Sequence, residues 1–284
     1  MSAVINLCRF VWSHPLARGP QAKVLAIGRI AKWQILSRFE QELIVPWIEG
    51  QKLAVKRGMT GATGNVYVGL HEFPDMMFLL HFLKHGDLFY DIGANVGTYA
   101  VLASGVRKAK TWAFEPASET LLALKRNVEI NTLQELITVY PFALGSTHAE
   151  VSFTRGLDTV NRVATSDELK CRRVQQRPLD SFNGEPVFIK MDVEGYEEEV
   201  LRGAQTVLES ESLQAIELES VTRNSQTMLW KHQFAQVFYD PFKRVLSREP
   251  IRLRGSNALF VRDFSLVNDR IKCSPPIRVL NNLL

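Results

Sequence analysis

The chain is poor in cysteine and has nothing that reads as a membrane span. Its 284 residues include three cysteines, Cys8, Cys171 and Cys273, far apart and with no C-x-x-C pair. That spacing speaks against a disulfide framework and a cysteine zinc site, and fits a reducing compartment. No apolar run approaches the ~20 residues needed to cross a bilayer. The N-terminus lacks a long apolar stretch followed by a small-residue cleavage site, so secretion is not expected. Internal repeats and low-complexity tracts are missing as well. With 46% hydrophobic and 23% charged residues, the composition is that of an ordinary globular chain. The length allows one α/β domain plus an appendage.

Acidic residues are absent from one end. Residues 1–38 carry Arg9, Arg18, Lys23, Arg29, Lys32 and Arg38 and no acid. Of the chain's 34 bases these six lie here, which leaves 28 against 30 acids elsewhere. Nucleic acid is therefore not an expected partner of the body. Val24, Leu25, Ile27, Ile30, Trp33 and Leu36 approximate helical spacing between the bases. Two readings stand: an arm lying on the acidic inner face of a membrane, or a helical extension packed on its own domain or on a second subunit. The expected division is a basic extension over 1–60 and a catalytic domain over 61–284, in the cytoplasm.

What is present is organised around Leu88 to Ser104, LFYDIGANVGTYAVLAS. Leu88 to Tyr90 read as a buried parallel strand ended by Asp91. Gly93, Ala94 and Gly97 make a small-residue turn, and Thr98 onward reads as a helix. Strand, turn and helix form the first unit of a doubly wound, mostly parallel, Rossmann-like sheet, with the ligand at the carboxyl edge. The glycines are not those of a dinucleotide G-x-G-x-x-G, because position 95 is Asn95 and leaves less room for a diphosphate. A second strand, TWAFE, ends at Glu115, about twenty residues after the turn. An acid there can accept hydrogen bonds from both ribose hydroxyls. Pro116 follows it. Ile137 to Tyr140 is a third strand, and Phe142-Ala143 mark where an adenine would lie.

Other segments have plainer readings. Ile44 to Gly69 reads as turns and short strands. Pro74 opens a buried helix with Gly86 as its stop. His81 and His85 are four apart, but no further ligands accompany them, so a surface or capping role is expected. Glu150 to Phe153 is a short strand, and Arg155 to Arg177 reads as a long polar loop, either on the acceptor face or a solvated insertion. PVFIKMD ends a buried strand at Asp192, and a helix begins at Gly195 and Tyr196. LQAIELE ends another at Glu219. Met228 to Phe238 reads as amphipathic, and Asn257 to Val261 as the final strand.

Three stretches together resemble the FkbM family of S-adenosylmethionine-dependent methyltransferases: DIGANVG from Asp91, AFEP from Ala113, and IKMDVEGYE from Ile189 followed by VLRGA from Val200. The resemblance covers about Phe89 to Glu219. GATGNVY from Gly61 is similar to members found among genes for polysaccharides. The resemblance implies O-methylation of a sugar, glycan or secondary-metabolite hydroxyl. It implies S-adenosylmethionine held by Asp91, Gly93, Ala94, Asn95, Gly97, Glu115, Pro116, Phe142, Ala143 and Asp192. In the usual class I strand order Asp192 faces the reacting methyl, so it is expected to orient and deprotonate the acceptor. Glu194 and Glu219 are second choices, and Glu72 could reach in from the N-terminal side. No N-P-P-Y-like sequence follows Asp192, which disfavours amino-group methylation. Asp192 and Glu219 could share a divalent ion, but no third ligand is identifiable, so a metal-free site is expected. A nicotinamide-dependent oxidoreductase would share the sheet and the ribose acid. A non-catalytic membrane scaffold on a degenerate fold is the other alternative, opposed by intact acids at three strand ends.

Overall fold

The computed structural model describes residues 2–154, 162–164, 171–253 and 257–284. Helices α1 (Ser2–Ser13) and α2 (Pro20–Leu36) lead into a hairpin of β1 (Leu43–Pro46) and β2 (Lys52–Val55). Helices α3 (Thr60–Val68) and α4 (Phe73–Phe82) follow. The Rossmann-like part begins with β3 (Leu88–Ile92), α5 (Thr98–Val101), β4 (Lys110–Phe114), α6 (Ser118–Ile130) and β5 (Ile137–Tyr140). A three-stranded insertion holds β6 (Ala143–Leu144), β7 (Ala149–Thr154) and β8 (Cys171–Arg177). Then come β9 (Phe188–Met191), α7 (Glu197–Arg202), α8 (Gln205–Glu209), β10 (Ala215–Leu218), α9 (Arg223–Lys231), β11 (Ala235–Asp240), β12 (Val245–Ser247), β13 (Ala258–Val261) and α10 (Phe264–Lys272). A small terminal hairpin, Arg278–Val279 with Asn282–Leu283, closes the chain.

The central sheet has eight strands in the order β12-β11-β13-β10-β9-β3-β4-β5. The five strands from β10 to β5 are parallel, and β13, β11 and β12 are antiparallel. The order reverses beside β3, which opens a crevice at its carboxyl end. Burial on both faces explains the unbroken apolar runs: Phe89, Tyr90, Phe188, Ile189, Ala215 and Ile216 are all fully buried. Each such aliphatic or aromatic side chain contributes about 1.5–3 kcal/mol of burial.

The N-terminal segments share this core. Val11, Ala26, Trp33, Leu53, Val55, Tyr67 and Val96 form one buried cluster. Asn127 and Asn131 of α6 tie β2 down: Asn127 Oδ1 accepts from Ala54 N, and Asn131 Oδ1 from Lys52 N, both at 2.7 Å. A boundary at residue 60 falls on the first residue of α3.

Several expectations are corrected. Residues 60–68 form a helix despite Gly61 and Gly64, because Ala62, Tyr67 and Val68 are buried against α2 and β2, and packing overrides propensity. Helix α4 stops at Phe82, where Leu83 turns extended, and Gly86 lies beyond it in the turn before β3. His81 is fully buried and pairs with Tyr239 Oη, while His85 lies off the helix. Residues 171–177 are strand β8, not loop; 155–161 and 165–170 lie outside the described residues. The amphipathic stretch after Met228 is helical only to Lys231 and a strand from Ala235. The helix after Asp192 starts at Glu197 and breaks at Gly203–Ala204.

Candidate functional site

A cavity of about 330 Å³ lies at the carboxyl ends of β3, β4, β9 and β10. Its floor is the turn after β3. Gly93 has φ 76°, and a Cβ there would lie 1.9 Å from the Asp192 carbonyl oxygen. Only glycine permits the turns after β3 and β9 to touch in this way. Asn95 is also left-handed, at φ 50°, a conformation asparagine tolerates better than most residues. Asp91 is buried at the strand end. Its Oδ2 accepts from Ala100 N at 3.1 Å, and its Oδ1 has no partner. Burial pushes its carboxyl up to about 6, against the opposing field of Lys190.

Glu115 closes the next side. Its Oε1 accepts from Ala117 N and Thr120 Oγ1, both at 2.8 Å, and its Oε2 from Asn95 N at 2.9 Å. A carboxylate has about four lone-pair positions, so these bonds leave about one, on Oε2. The expected grip on two ribose hydroxyls is thereby reduced to one acceptor position. Burial still raises the Glu115 carboxyl above its usual range, despite these donors. Phe142, Ala143, Phe153 and Val163 line the far wall, supplied by the three-stranded insertion and its approach. The Arg177 guanidinium stacks over one face of Phe142 at 3.8 Å from the ring centroid.

The opposite side is built on charge. Asp91, Lys190 and Glu217 stand in register across β3, β9 and β10, an acid–base–acid row inside the sheet. All three are buried. Lys190 Nζ lies 2.9 Å from Asp192 Oδ2 and 4.5 Å from the centroid of the Tyr99 ring. Burial disfavours the ammonium, but Asp192, Glu72 and Asp91 outweigh it and raise the lysine well above its ordinary value. Tyr99 Oη donates to Glu72 Oε2 at 2.8 Å, which brings the N-terminal side of α4 to the site. Glu219, one residue past β10, sits beside Asp192. Burial and that neighbouring charge push Glu219 up to about 8, while Lys190 holds Asp192 low against its own burial. The two adjacent carboxylates beside one cation are thus pushed apart in acidity, Asp192 down and Glu219 up.

Nearly every residue expected from sequence lines this cavity: Glu72, Asp91, Gly93, Ala94, Asn95, Glu115, Pro116, Phe142, Ala143, Asp192, Glu194 and Glu219. Gly97 does not. It caps α5 at φ 83° and packs against Leu124, where a Cβ would come within 3.1 Å of Cγ. A third oxygen donor exists after all: Asp192, Glu194 and Glu219 offer oxygens within 4.8 Å of one another, a set of hard-cation type. Glu194 reaches it because its turn is left-handed, at φ 55°, and strand counting cannot see that. Lys190, Tyr99 and His71 also line the cavity and were missed. A lysine inside the apolar run PVFIKM was the available signal.

A parallel sheet whose first turn, second-strand acid and fourth-strand acid meet in one crevice is a Rossmann-like sheet with its ligand site at the carboxyl edge. The Methyltransferase FkbM domain model matches residues 91–238, more than half of the chain, and the protein belongs to that family. Hexuronic acid methyltransferase AglP of Haloferax volcanii is 31% identical over 150 residues, half of this chain. The chain spans 60% of the length of that relative. A methyltransferase FkbM structure from Methylobacillus flagellatus aligns with a TM-score of 0.45 at 18% identity, over 83% of this chain and 59% of the other. A precorrin-6y C5,15-methyltransferase from Geobacter metallireducens aligns at 0.39 and 14%, over 74% and 92%.

Proposed function

We propose that the protein moves a methyl group from S-adenosylmethionine to a neutral hydroxyl of a sugar-containing acceptor. The observation that carries this reading is the division of the cavity: a backbone turn with Glu115 at one end, and the Lys190-anchored carboxylates at the other. The cofactor supplies an electrophilic methyl; in-line displacement breaks its C–S bond and forms a C–O bond. The residues present fit it. The remaining position on Glu115 Oε2 would accept a ribose hydroxyl, and Asp91 Oδ1, without a partner among the described residues, would accept from the ammonium of the amino-acid part. Phe142 and Ala143, on the cavity wall, would flank the adenine.

The acceptor enters from the carboxylate side. A second cavity of about 400 Å³ reaches Glu219 and is lined by Asp75, Glu217 and Asn257. Asn257 Nδ2 donates to Glu217 Oε1 at 2.6 Å, and Asn257 Oδ1 has no partner among the described residues, which suits a sugar hydroxyl. Asp192, kept ionised by Lys190, accepts the reacting hydroxyl and orients it. The proton passes to the Asp192–Glu219 pair as the oxygen attacks. An acceptor carboxylate would meet the Asp192 carboxylate as a like charge, so the site favours a hydroxyl even on a hexuronic acid. The name of the AglP relative supports the sugar class.

The test uses tritium-labelled S-adenosylmethionine with methyl glycosides of hexoses and hexuronic acids. Transfer to a hydroxyl gives an ether whose label survives mild alkali. Label released by alkali would identify a carboxyl ester and refute hydroxyl transfer. Failure of calorimetry to detect S-adenosylmethionine binding would refute the cofactor.

A further inference from the structure

Helix α2 buries one face and leaves the other bare. Ala26 and Trp33 are buried, and Arg29 Nε donates to the Tyr67 carbonyl at 2.7 Å. The outward face carries Val24, Leu25, Ile27 and Ile35, between 47% and 67% exposed, and Phe39 follows at 81%. Trp12 of α1 is 62% exposed, with the Lys23 ammonium 3.9 Å from a ring centroid. Single exposed apolar residues are ordinary on a protein surface, whereas a row of them marks an interaction site. Arg9, Arg18, Lys32 and Arg38 are exposed on the same segment, and no acid precedes Glu40. Beside α2 runs a groove of about 610 Å³, with Leu36, Ile44 and Trp47 as apolar lining, Lys32 and Arg278 as exposed cations and Glu49 as an acid.

We propose that this face docks on a membrane surface rich in anionic lipid. Charge decides the occupant. A second copy would set an excess of exposed bases (Arg9, Arg18, Lys32, Arg38 and Arg278, against Glu40 and Glu49) against the same excess. An anionic lipid surface supplies the missing sign, and its acyl region takes the apolar row. The helix lies in the interface plane, since no helix among the described residues is long and apolar enough to cross a membrane. Docking would also sit close to the chemistry: Phe10 of α1 packs edge-on against His71, which lines the methyl-transfer cavity, at 5.0 Å between centroids. The inference rests on the arm alone and stands whatever the acceptor is.

The full chain is sedimented with phosphatidylcholine vesicles, with and without an equal share of phosphatidylglycerol, at low and high salt. It should bind the anionic vesicles alone, and less at high salt. Lys32→Glu with Arg38→Glu should weaken binding by about thirtyfold or more, from two bases beside an anionic surface. Leu25→Ser with Ile35→Ser, both solvent-exposed, should weaken it too, with the melting temperature unchanged. Absence of sedimentation with anionic vesicles at low salt would overturn the proposal. So would wild-type binding by both double variants. A wild-type dimer that Leu25→Ser with Ile35→Ser converts to monomer would assign the face to a second copy and overturn it as well.

Discussion

Replacing Lys190 by methionine removes the cation on which four buried or half-buried carboxylates depend. Methionine is close in volume, so packing in β9 is nearly kept. What changes is charge. Asp91 and Glu217 flank position 190 in register, and Asp192 and Glu72 face it from the cavity. Removing one partner of a buried pair typically costs about 3–5 kcal/mol. Asp192 is 28% exposed and water screens part of its charge, so about 2–4 kcal/mol is the expected loss at pH 8. The sign with pH follows from the acids. Burial already raises Asp91 to about 6 and Glu217 to about 7, and loss of the lysine field raises both further. An acid whose folded pKa is raised holds its proton more tightly when folded. Its burden on stability is absent below its unfolded value and grows as pH rises through the folded one. The variant should therefore melt about 5–10 °C below wild type at pH 8 and much closer to it at pH 5. Scanning calorimetry of both proteins at the two pH values is the assay. An equal deficit at pH 5 and pH 8 would mean that Lys190 contributes by packing alone, and the charge row would lose its explanation.

Asp192→Asn should lower turnover by about a hundredfold or more, in the range of a lost general base, with S-adenosylmethionine affinity nearly unchanged by calorimetry. Full activity in that variant would transfer its role to Glu219 or Glu72. Glu115→Ala should weaken cofactor binding and also cost about 2–4 kcal/mol of stability in urea denaturation, because Ala117 N, Thr120 Oγ1 and Asn95 N lose a buried acceptor. Unchanged affinity would show that the ribose is held elsewhere. Gly93→Ala should give little folded protein, since its Cβ would overlap the Asp192 carbonyl oxygen; a soluble variant with native circular dichroism would contradict that contact. Because the Glu219 carboxyl is held near 8, initial rates should rise with pH and level off above about that value, and a flat profile between pH 6 and 9 would remove the Asp192–Glu219 pair from the chemistry.

The parallel half of the sheet was legible because burial on both faces leaves a one-dimensional mark: LFYDI, TWAF and FIKM are apolar runs cut off by acids or small residues. Helix α3 was not legible. Gly61 and Gly64 lower helix propensity, and what restores the helix is tertiary packing on Trp33 of α2 and on β2, which local propensity does not register. The same holds for His81. Its spacing from His85 suggested a surface pair, while its environment is set by Tyr239, 158 residues on.

The site divides along a similar line. Asp91, Glu115, Asp192 and Glu219 could be named in advance because each ends a strand, and parallel strands deliver their carboxyl ends to one edge. What each acid does depends on neighbours from other strands. Glu115 and Asp192 look alike as strand-ending acids, yet three protein donors fill most of Glu115 and a lysine holds Asp192. The difference arises from register. Lys190 is two residues before Asp192, which directly follows the end of β9, and the two side chains meet at 2.9 Å. The β3–β9 and β9–β10 pairings then place Lys190 between Asp91 and Glu217. A lysine in a strand buried on both faces is costly to keep unless acids surround it. Its presence within FIKM was thus the one mark in the sequence of how Asp192 at this sheet edge is kept charged.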